Sequence, residues 1–391
     1  MRFLATTIGA VLAAAATALA GCGDPGTVSV ELLAYDEVAD EYVIDAVDIT
    51  TLDDVDRLQG RATKIVGGAD ITLDYQKNEL QRDDPGHAVA FGAFEQDGVL
   101  IPEDFDSFAM ASAYYNIELS LLFYESLGME EGALVDMETF YWPDFTLIES
   151  DGEETIMEDN AFYMFVSAND RGFYVFPYAD FQWLPMSMNG GIMTHEFSHA
   201  VFDAFVEDPS RQMVDGGMTL SGANLLYGMN EGIADFMAVA RTGDPDYMEH
   251  SIEKGVFSVQ CNSATYKEIV RDASVQWNYS ASIDDPARSV QADAFCPYDV
   301  GAFFAAALYA IADGIDTENA PEQAPSHEAL RTVARALFES MGDLGQTLTP
   351  DFELWDMFGL MVENLGPEHA DAACSVLEER YAMYYDQVAG C

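Results

Sequence analysis

Positive charge is scarce in this chain. Sixteen Lys and Arg stand against 69 Asp and Glu among 391 residues, a formal net charge of -53. Phosphate backbones would be repelled by such a surface, which argues against nucleic acid as a partner. Two readings of the acidity stay open: a solvated surface suited to salty surroundings, and attraction for basic peptides. Cysteine is also sparse, with five in all, and their spacings do not build a zinc ribbon. The acidic clusters contain no EF-hand loop spacing, so Ca²⁺ finds no motif to support it. Beyond the N-terminal segment no run approaches the about 20 apolar residues that cross a bilayer. No internal repeat is present. What remains is 49% hydrophobic and 12% aromatic, enough to bury a substantial core in one large domain or two ordinary ones.

The first residues read as a targeting segment. Met1-Arg2 is a short basic start, Phe3 to Ala20 is apolar and alanine-rich, and Leu19-Ala20-Gly21-Cys22 follows. This resembles a bacterial lipoprotein signal (residues 1–21), in which cleavage precedes the cysteine and Cys22 is acylated. The alternatives are a plain secretory signal and an uncleaved membrane helix. The expectation is an extracytoplasmic body tethered to the membrane through its N-terminal lipid, at the outer membrane if the source is Gram-negative. With Cys22 lipidated, Cys261, Cys296, Cys374 and Cys391 remain. An even number in an oxidising compartment favours two disulfides. Proximity suggests Cys261 with Cys296 and Cys374 with Cys391, among three possible connectivities.

The pattern along the chain predicts an α+β fold with a β-rich N-terminal half and a mainly helical C-terminal half. Residues 22–104 carry short strand-like runs such as Val28 to Leu32, Tyr42 to Ile44 and Ala69 to Leu73, punctuated by Gly67-Gly68 and Asp84-Pro85-Gly86. Phe105 to Gly128 reads as a long apolar helix with Gly128 as its stop. Strand character returns over 135–182 within a 105–190 segment of helix plus sheet. From 191 to 391 the reading is helical, over 191–206, 228–241, 299–313, 326–341, 351–365 and 368–388.

One segment carries chemistry. His195-Glu196-Phe197-Ser198-His199 lies in a predicted helix, where residues four apart share a face. Two imidazoles at that spacing can hold one Zn²⁺. Glu196, beside the first of them, can serve as a base toward a water at the metal. A catalytic zinc site normally has a third protein ligand. The best candidate lies in Asn230-Glu231-Gly232-Ile233-Ala234-Asp235.

Together these two segments resemble the gluzincin zinc metallopeptidases, thermolysin-like enzymes in particular, which carry His-Glu-x-x-His on one helix and Asn-Glu-x-x-x-Asp on the next. The resemblance implies His195, His199 and Glu231 as metal ligands, Glu196 as the catalytic base, and Asp235 as the hydrogen-bond partner of a ligand histidine. It also implies a zincin-like fold with the site in a cleft between the halves. Upstream, Asn160-Ala161-Phe162-Tyr163 is similar to the family's Asn-Ala-Phe-Trp edge strand, which implies that Asn160 and Ala161 grip a peptide substrate. Tyr replaces Trp there.

The likeness then departs from the family. The segment Cys296-Pro297-Tyr298-Asp299-Val300-Gly301 places Pro297 where the family has an intermediate-stabilising His. Tyr298 can supply a phenolic donor instead, with Tyr227 as a weaker competitor. The other histidines, His87, His250, His327 and His369, read as surface or structural. The expected activity is hydrolysis of peptide bonds in an extracellular peptide or protein. Two alternatives stand beside it: a catalytically inactive zincin-fold peptide-binding lipoprotein, and a structural surface lipoprotein with an incidental motif.

Overall fold

The computed structural model describes residues 26–36, residues 41–251 apart from 75, 78, 135, 150, 168–169 and 178–182, and then 297–316, 324–381 and 385–391. The leader with Cys22, and the expected Cys261–Cys296 pair, lie outside the described residues.

Alternation builds the first sheet. In β1 (Val28–Asp36) the side chains of Val30 and Leu32 are buried, and in β2 (Glu41–Ile49) those of Val47 and Ile49 are. Their antiparallel register sets Val30 opposite Val47, so one face becomes core. The remaining strands are β3 (Leu52–Asp54), β4 (Gln59–Gly60), β5 (Lys64–Gly67), β6 (Asp70–Asp74), β7 (Glu79–Asp84), β8 (His87–Ala88), β9 (Ala93–Gln96), β10 (Val99–Pro102), β11 (Glu138–Tyr141), β12 (Asp144–Ile148), β13 (Glu154–Ile156), β14 (Ala161–Ser167) and β15 (Asp170–Val175). They form sheets in the orders β2-β1-β10-β9, β14-β15-β11-β5-β4-β3 with β8 beside β5, and β13-β12-β6-β7. The break expected near residue 105 separates sequence character rather than sheets. β11 pairs parallel with β5 on one side and with β15 on the other, and β12 pairs parallel with β6. In the second sheet β14 is an edge strand.

α1 (Phe105–Leu127) begins at Asp104, whose carboxylate accepts the Ser107 N–H at 2.7 Å, and it stops at Gly128, where φ is 121°. α2 (Gly190–Phe202) is capped by Asn189, whose Oδ1 accepts the N–H groups of Gly191 and Ile192 at 3.0 and 3.2 Å. Every residue of α2 except His199 is buried, the polar Thr194, His195, Glu196 and Ser198 among them. A π-type turn, Asp203–Glu207, continues it. α3 (Arg211–Val214) and α4 (Leu220–Thr242) follow. α4 starts well ahead of the expected residue 228, because the Thr219 hydroxyl accepts the Gly222 N–H and opens the helix there. α5 (Pro297–Ile315), α6 (His327–Thr347), α7 (Leu354–Leu365) and α8 (Pro367–Tyr381) complete the helical half.

The last helix ends sooner than the expected residue 388, and the disulfide supplies the reason. A helix running on from Cys374 would carry residue 391 about 25 Å away. The Cys374–Cys391 bond holds those Cα atoms 5.4 Å apart, so the chain turns back.

α4 and α5 pack at unusually close range. A Cβ on Gly232 would stand 2.4 Å from the Gly301 carbonyl oxygen, and one on Gly228 would stand 2.4 Å from Val300 Cβ. These glycines let α5 lie against the turn of α4 that carries Glu231. Gly232→Val is expected to force the helices apart and to destabilise the fold by ~1–3 kcal/mol. A urea titration followed by circular dichroism checks this, and an unchanged midpoint would contradict the packing described.

Candidate metal centre

The i, i+4 spacing on α2 brings the two imidazole rings within 4.7 Å, centroid to centroid, at 87°. Their Nε2 atoms are 3.1 Å apart. Glu231, from α4, points Oε2 at both, 3.5 Å from His195 Nε2 and 3.7 Å from His199 Nε2. Two nitrogen–metal bonds of about 2.0–2.1 Å at a tetrahedral angle span roughly 3.3 Å, so the observed separations suit one ion. Glu231 Oε2 is buried and has no hydrogen-bond partner. An orphaned buried carboxylate oxygen costs stability unless a cation or donor meets it. A buried His195, His199 and Glu231 group of this kind can hold a metal ion, and no second such group occurs among the described residues.

The outer nitrogens are fixed in turn. His195 Nδ1–H donates to Asp235 Oδ1 at 2.9 Å, and His199 Nδ1–H donates to Asn230 Oδ1 at 2.9 Å. With the Nδ1 atoms engaged by those acceptors, both Nε2 atoms face Glu231. Tyr247 donates its hydroxyl to the same Asp235 oxygen at 2.8 Å. Its ring packs on Gly191, where a Cβ would come within 2.4 Å of it. Burial disfavours a charged His195, but the carboxylates of Asp235 and Glu231 outweigh it and hold the imidazole well above its ordinary range. Burial would likewise raise Glu231, yet the neighbouring imidazoles bring it below the usual carboxylate value. Asp235→Asn is expected to weaken metal binding by about 10–100-fold, and Tyr247→Phe by several-fold. Competition against a chromogenic chelator measures both, and equal affinities in all three proteins would show that these partners do not orient the ring.

Glu196 faces the edge of the second sheet. Its Oε2 accepts the backbone N–H of Tyr163 in β14 at 2.8 Å. Burial pushes its carboxyl up while the charges of His195 and His199 pull it down, and the net direction is up. β14 presents its residues alternately. Asn160 turns its carbonyl toward β15, where it accepts the Phe176 N–H, so Ala161 and Tyr163 turn their peptide groups to the edge that no described strand pairs. The Asn160 side-chain oxygen accepts the Ala161 N–H at 2.8 Å.

Tyr298 lies at the start of α5. The charge on Glu231 is the largest influence on its phenol, ahead of burial, and both raise it well above the ordinary range. It therefore remains a protonated donor. Tyr227 is 43% exposed on α4.

Tyr163 also anchors the strand from behind, through a hydrogen bond from its hydroxyl to Asp203 Oδ2 at 3.1 Å. Arg211 Nη2 donates to Asp203 Oδ1 at 2.8 Å, and its Nη1 lies 3.6 Å from Glu207. Burial, followed by the charge of Asp203, pushes Glu207 up from 4.5 to about 7 despite Arg211. A raised folded value means that Glu207 favours folding below pH 4.5 and that this contribution is lost as pH rises through 7. Glu207→Gln is therefore expected to stabilise the fold by ~1–2 kcal/mol above neutrality and to change nothing near pH 4. Urea midpoints at the two pH values test it.

Sequence reasoning assigned no role to Asn230, Tyr247 or the Tyr163 amide. Asn230 could have been found, since it adjoins Glu231 and an acceptor there faces the second histidine. Tyr247 carried no local signal. No protein-family model matches the chain, and no curated protein is significantly similar to it.

Proposed function

We propose that this chain is a zinc-dependent metalloendopeptidase of the thermolysin-like, gluzincin kind. The observation that carries this reading is the convergence of His195, His199 and Glu231, with Asp235 and Asn230 fixing the imidazoles from behind. Two nitrogens and one carboxylate oxygen form the donor set of catalytic zinc sites that leave a position open. When bound, Zn²⁺ would polarise a scissile carbonyl and lower the pKa of a water to about 7.

The protein's own groups have distinct tasks. Glu196, with one carboxylate oxygen held by the Tyr163 amide, takes the proton of the attacking water on the other. It later delivers that proton to the leaving amine nitrogen. The Tyr298 hydroxyl donates to the oxyanion that develops on the scissile carbonyl. The β14 edge offers the Ala161 carbonyl to an extended substrate, and the Asn160 amide adds a side-chain contact. The substrate is a peptide or protein. Digestion of casein or a mixed peptide pool tests the reading directly. Cleavage that a zinc chelator abolishes and added zinc restores supports it, and no cleavage by fully metallated protein sinks it.

Pro297, where the family has a His, is the observation that favours a second reading, an inactive peptide-binding surface lipoprotein. Against it stands the intact, positioned Glu196. We place the body outside the cytoplasm, anchored through Cys22. The Cys374–Cys391 disulfide supports an oxidising compartment, and no described helix is long and apolar enough to cross a membrane. The anchor predicts that the mature protein partitions into the detergent phase on Triton X-114 extraction and that Cys22→Ser moves it to the aqueous phase.

A further inference from the structure

The helical half holds β14 at more points than the Glu196 contact. Glu196 and Asp203 stand seven residues apart, two turns along α2 and the π-type turn that continues it, so both reach the same strand. Glu196 Oε2 accepts the Tyr163 N–H at 2.8 Å, and Asp203 Oδ2 accepts the Tyr163 hydroxyl at 3.1 Å. One residue of the strand is therefore gripped at its amide by the proposed base and at its hydroxyl by the next carboxylate along the same helix.

Arg211 closes this grip from α3. Its Nη2 donates to Asp203 Oδ1 and to Asp208 Oδ1, each at 2.8 Å, and its Nη1 lies 3.6 Å from Glu207 Oε2. Three carboxylates thus orient one planar cation. The carbon centre of that guanidinium sits 4.4 Å from the centroid of the Phe165 ring. Phe165 is two residues beyond Tyr163 on β14, so both side chains leave the same face of the strand. Arg211 consequently reaches β14 by two routes, directly over Phe165 and indirectly through Asp203 and Tyr163. At 3% exposure, Asp203 depends on this cation to carry its charge. The regular ladder between β14 and β15 also ends here, since the register shifts between Phe165 and Ser167. The arginine stacks where pairing with β15 ceases to fix the strand.

We propose that Arg211 is a positioning residue: through Phe165 and through the Asp203–Tyr163 pair it holds β14 in place beside Glu196, and so sets where an extended peptide lies along the edge. This rests on the peptidase reading above. Without Arg211, Asp203 is left buried with no cation and Phe165 loses its stacking partner, so the strand shifts and carries the Tyr163 amide with it. A displacement of about 1 Å at such a strand costs up to about 100-fold in rate. Lysine would keep the charge for Asp203 but would lack the fork that meets several carboxylates and the flat face over Phe165.

Arg211→Ala, Arg211→Lys and Phe165→Leu, made in the full chain and loaded with zinc, test this in two independent ways. Hydrogen exchange read by mass spectrometry follows the amides of residues 161–165 without reference to activity. Relative to the amides of β1 and β2, the Tyr163 amide should exchange at least about tenfold faster in Arg211→Ala than in the wild type, with intermediate factors in the other two. Initial rates on a fluorogenic peptide long enough to lie along β14 form the second arm. There kcat/KM should fall by about 10–100-fold in Arg211→Ala, through a raised KM as well as a lowered kcat, and Arg211→Lys should recover part of the loss. An arginine that served stability alone would lower the thermal midpoint and leave kcat/KM per folded molecule unchanged. If Arg211→Ala does not fold, Arg211→Lys and Phe165→Leu decide. Wild-type exchange at Tyr163, or wild-type kcat/KM per folded molecule, in every folded variant overturns the proposal. Absence of cleavage by the wild type overturns the peptidase reading instead, and the exchange measurement then decides by itself whether Arg211 holds the strand.

Discussion

Glu196→Gln is expected to leave a folded, metal-loaded protein whose kcat on peptides has fallen by about 10²–10⁴-fold with little change in KM, the range attributed to a positioned general base. Glutamine keeps the length and shape of the side chain, and its carbonyl oxygen can still accept the Tyr163 amide at the place where Glu196 Oε2 does now. The fold around α2 should not notice the change, because it removes a buried charge that burial already disfavours. What disappears is the acceptor for the water's proton and the donor for the leaving nitrogen. Metal content by plasma emission, circular dichroism and initial rates on a fluorogenic peptide separate these effects. A variant that cleaves as fast as the wild type would show that Glu196 is not the base. A wild type that binds peptide and metal without cleaving, and a variant that behaves identically, would favour the inactive binding protein.

The two metal-bearing segments were readable because a helix turns local spacing into geometry. Positions four apart on α2 must share a face, so His195 and His199 could be paired without coordinates. Glu231 and Asp235 share the same spacing on α4 and were reached through their likeness to a known pattern. The Cys374–Cys391 pair was legible from proximity alone. The contacts that no spacing encodes join elements far apart in sequence. Tyr247 reaches Asp235 because Gly191 makes room for its ring, and the Tyr163 amide reaches Glu196 because β14 is a sheet edge beside α2. The parallel pairing of β5 with β11 also escaped notice, because pairing across a 23-residue helix leaves no periodic trace.

Glu231→Ala should separate the cost of the metal site from its benefit. In the absence of metal, Glu231 Oε2 is a buried oxygen with no hydrogen-bond partner, placed between two imidazoles that it attracts only at 3.5 and 3.7 Å. Removing it relieves that desolvation but leaves the imidazoles without one carboxylate partner, so the metal-free fold is expected to lose up to about 3–5 kcal/mol, the cost of breaking a buried pair from one side. His195 keeps its other carboxylate partner, Asp235. The metal-bound state should respond very differently. A ligand that binds only the folded chain stabilises it by about 4 kcal/mol at a thousandfold excess over Kd. Two histidines without the third ligand form a far weaker site. The stabilisation conferred by added zinc should therefore collapse toward zero in the variant. Thermal midpoints measured with chelator and with buffered zinc, for both proteins, give the four values needed. A residue that served only packing would lower the chelated and zinc-loaded midpoints equally, and that parallel loss would remove Glu231 from the metal centre.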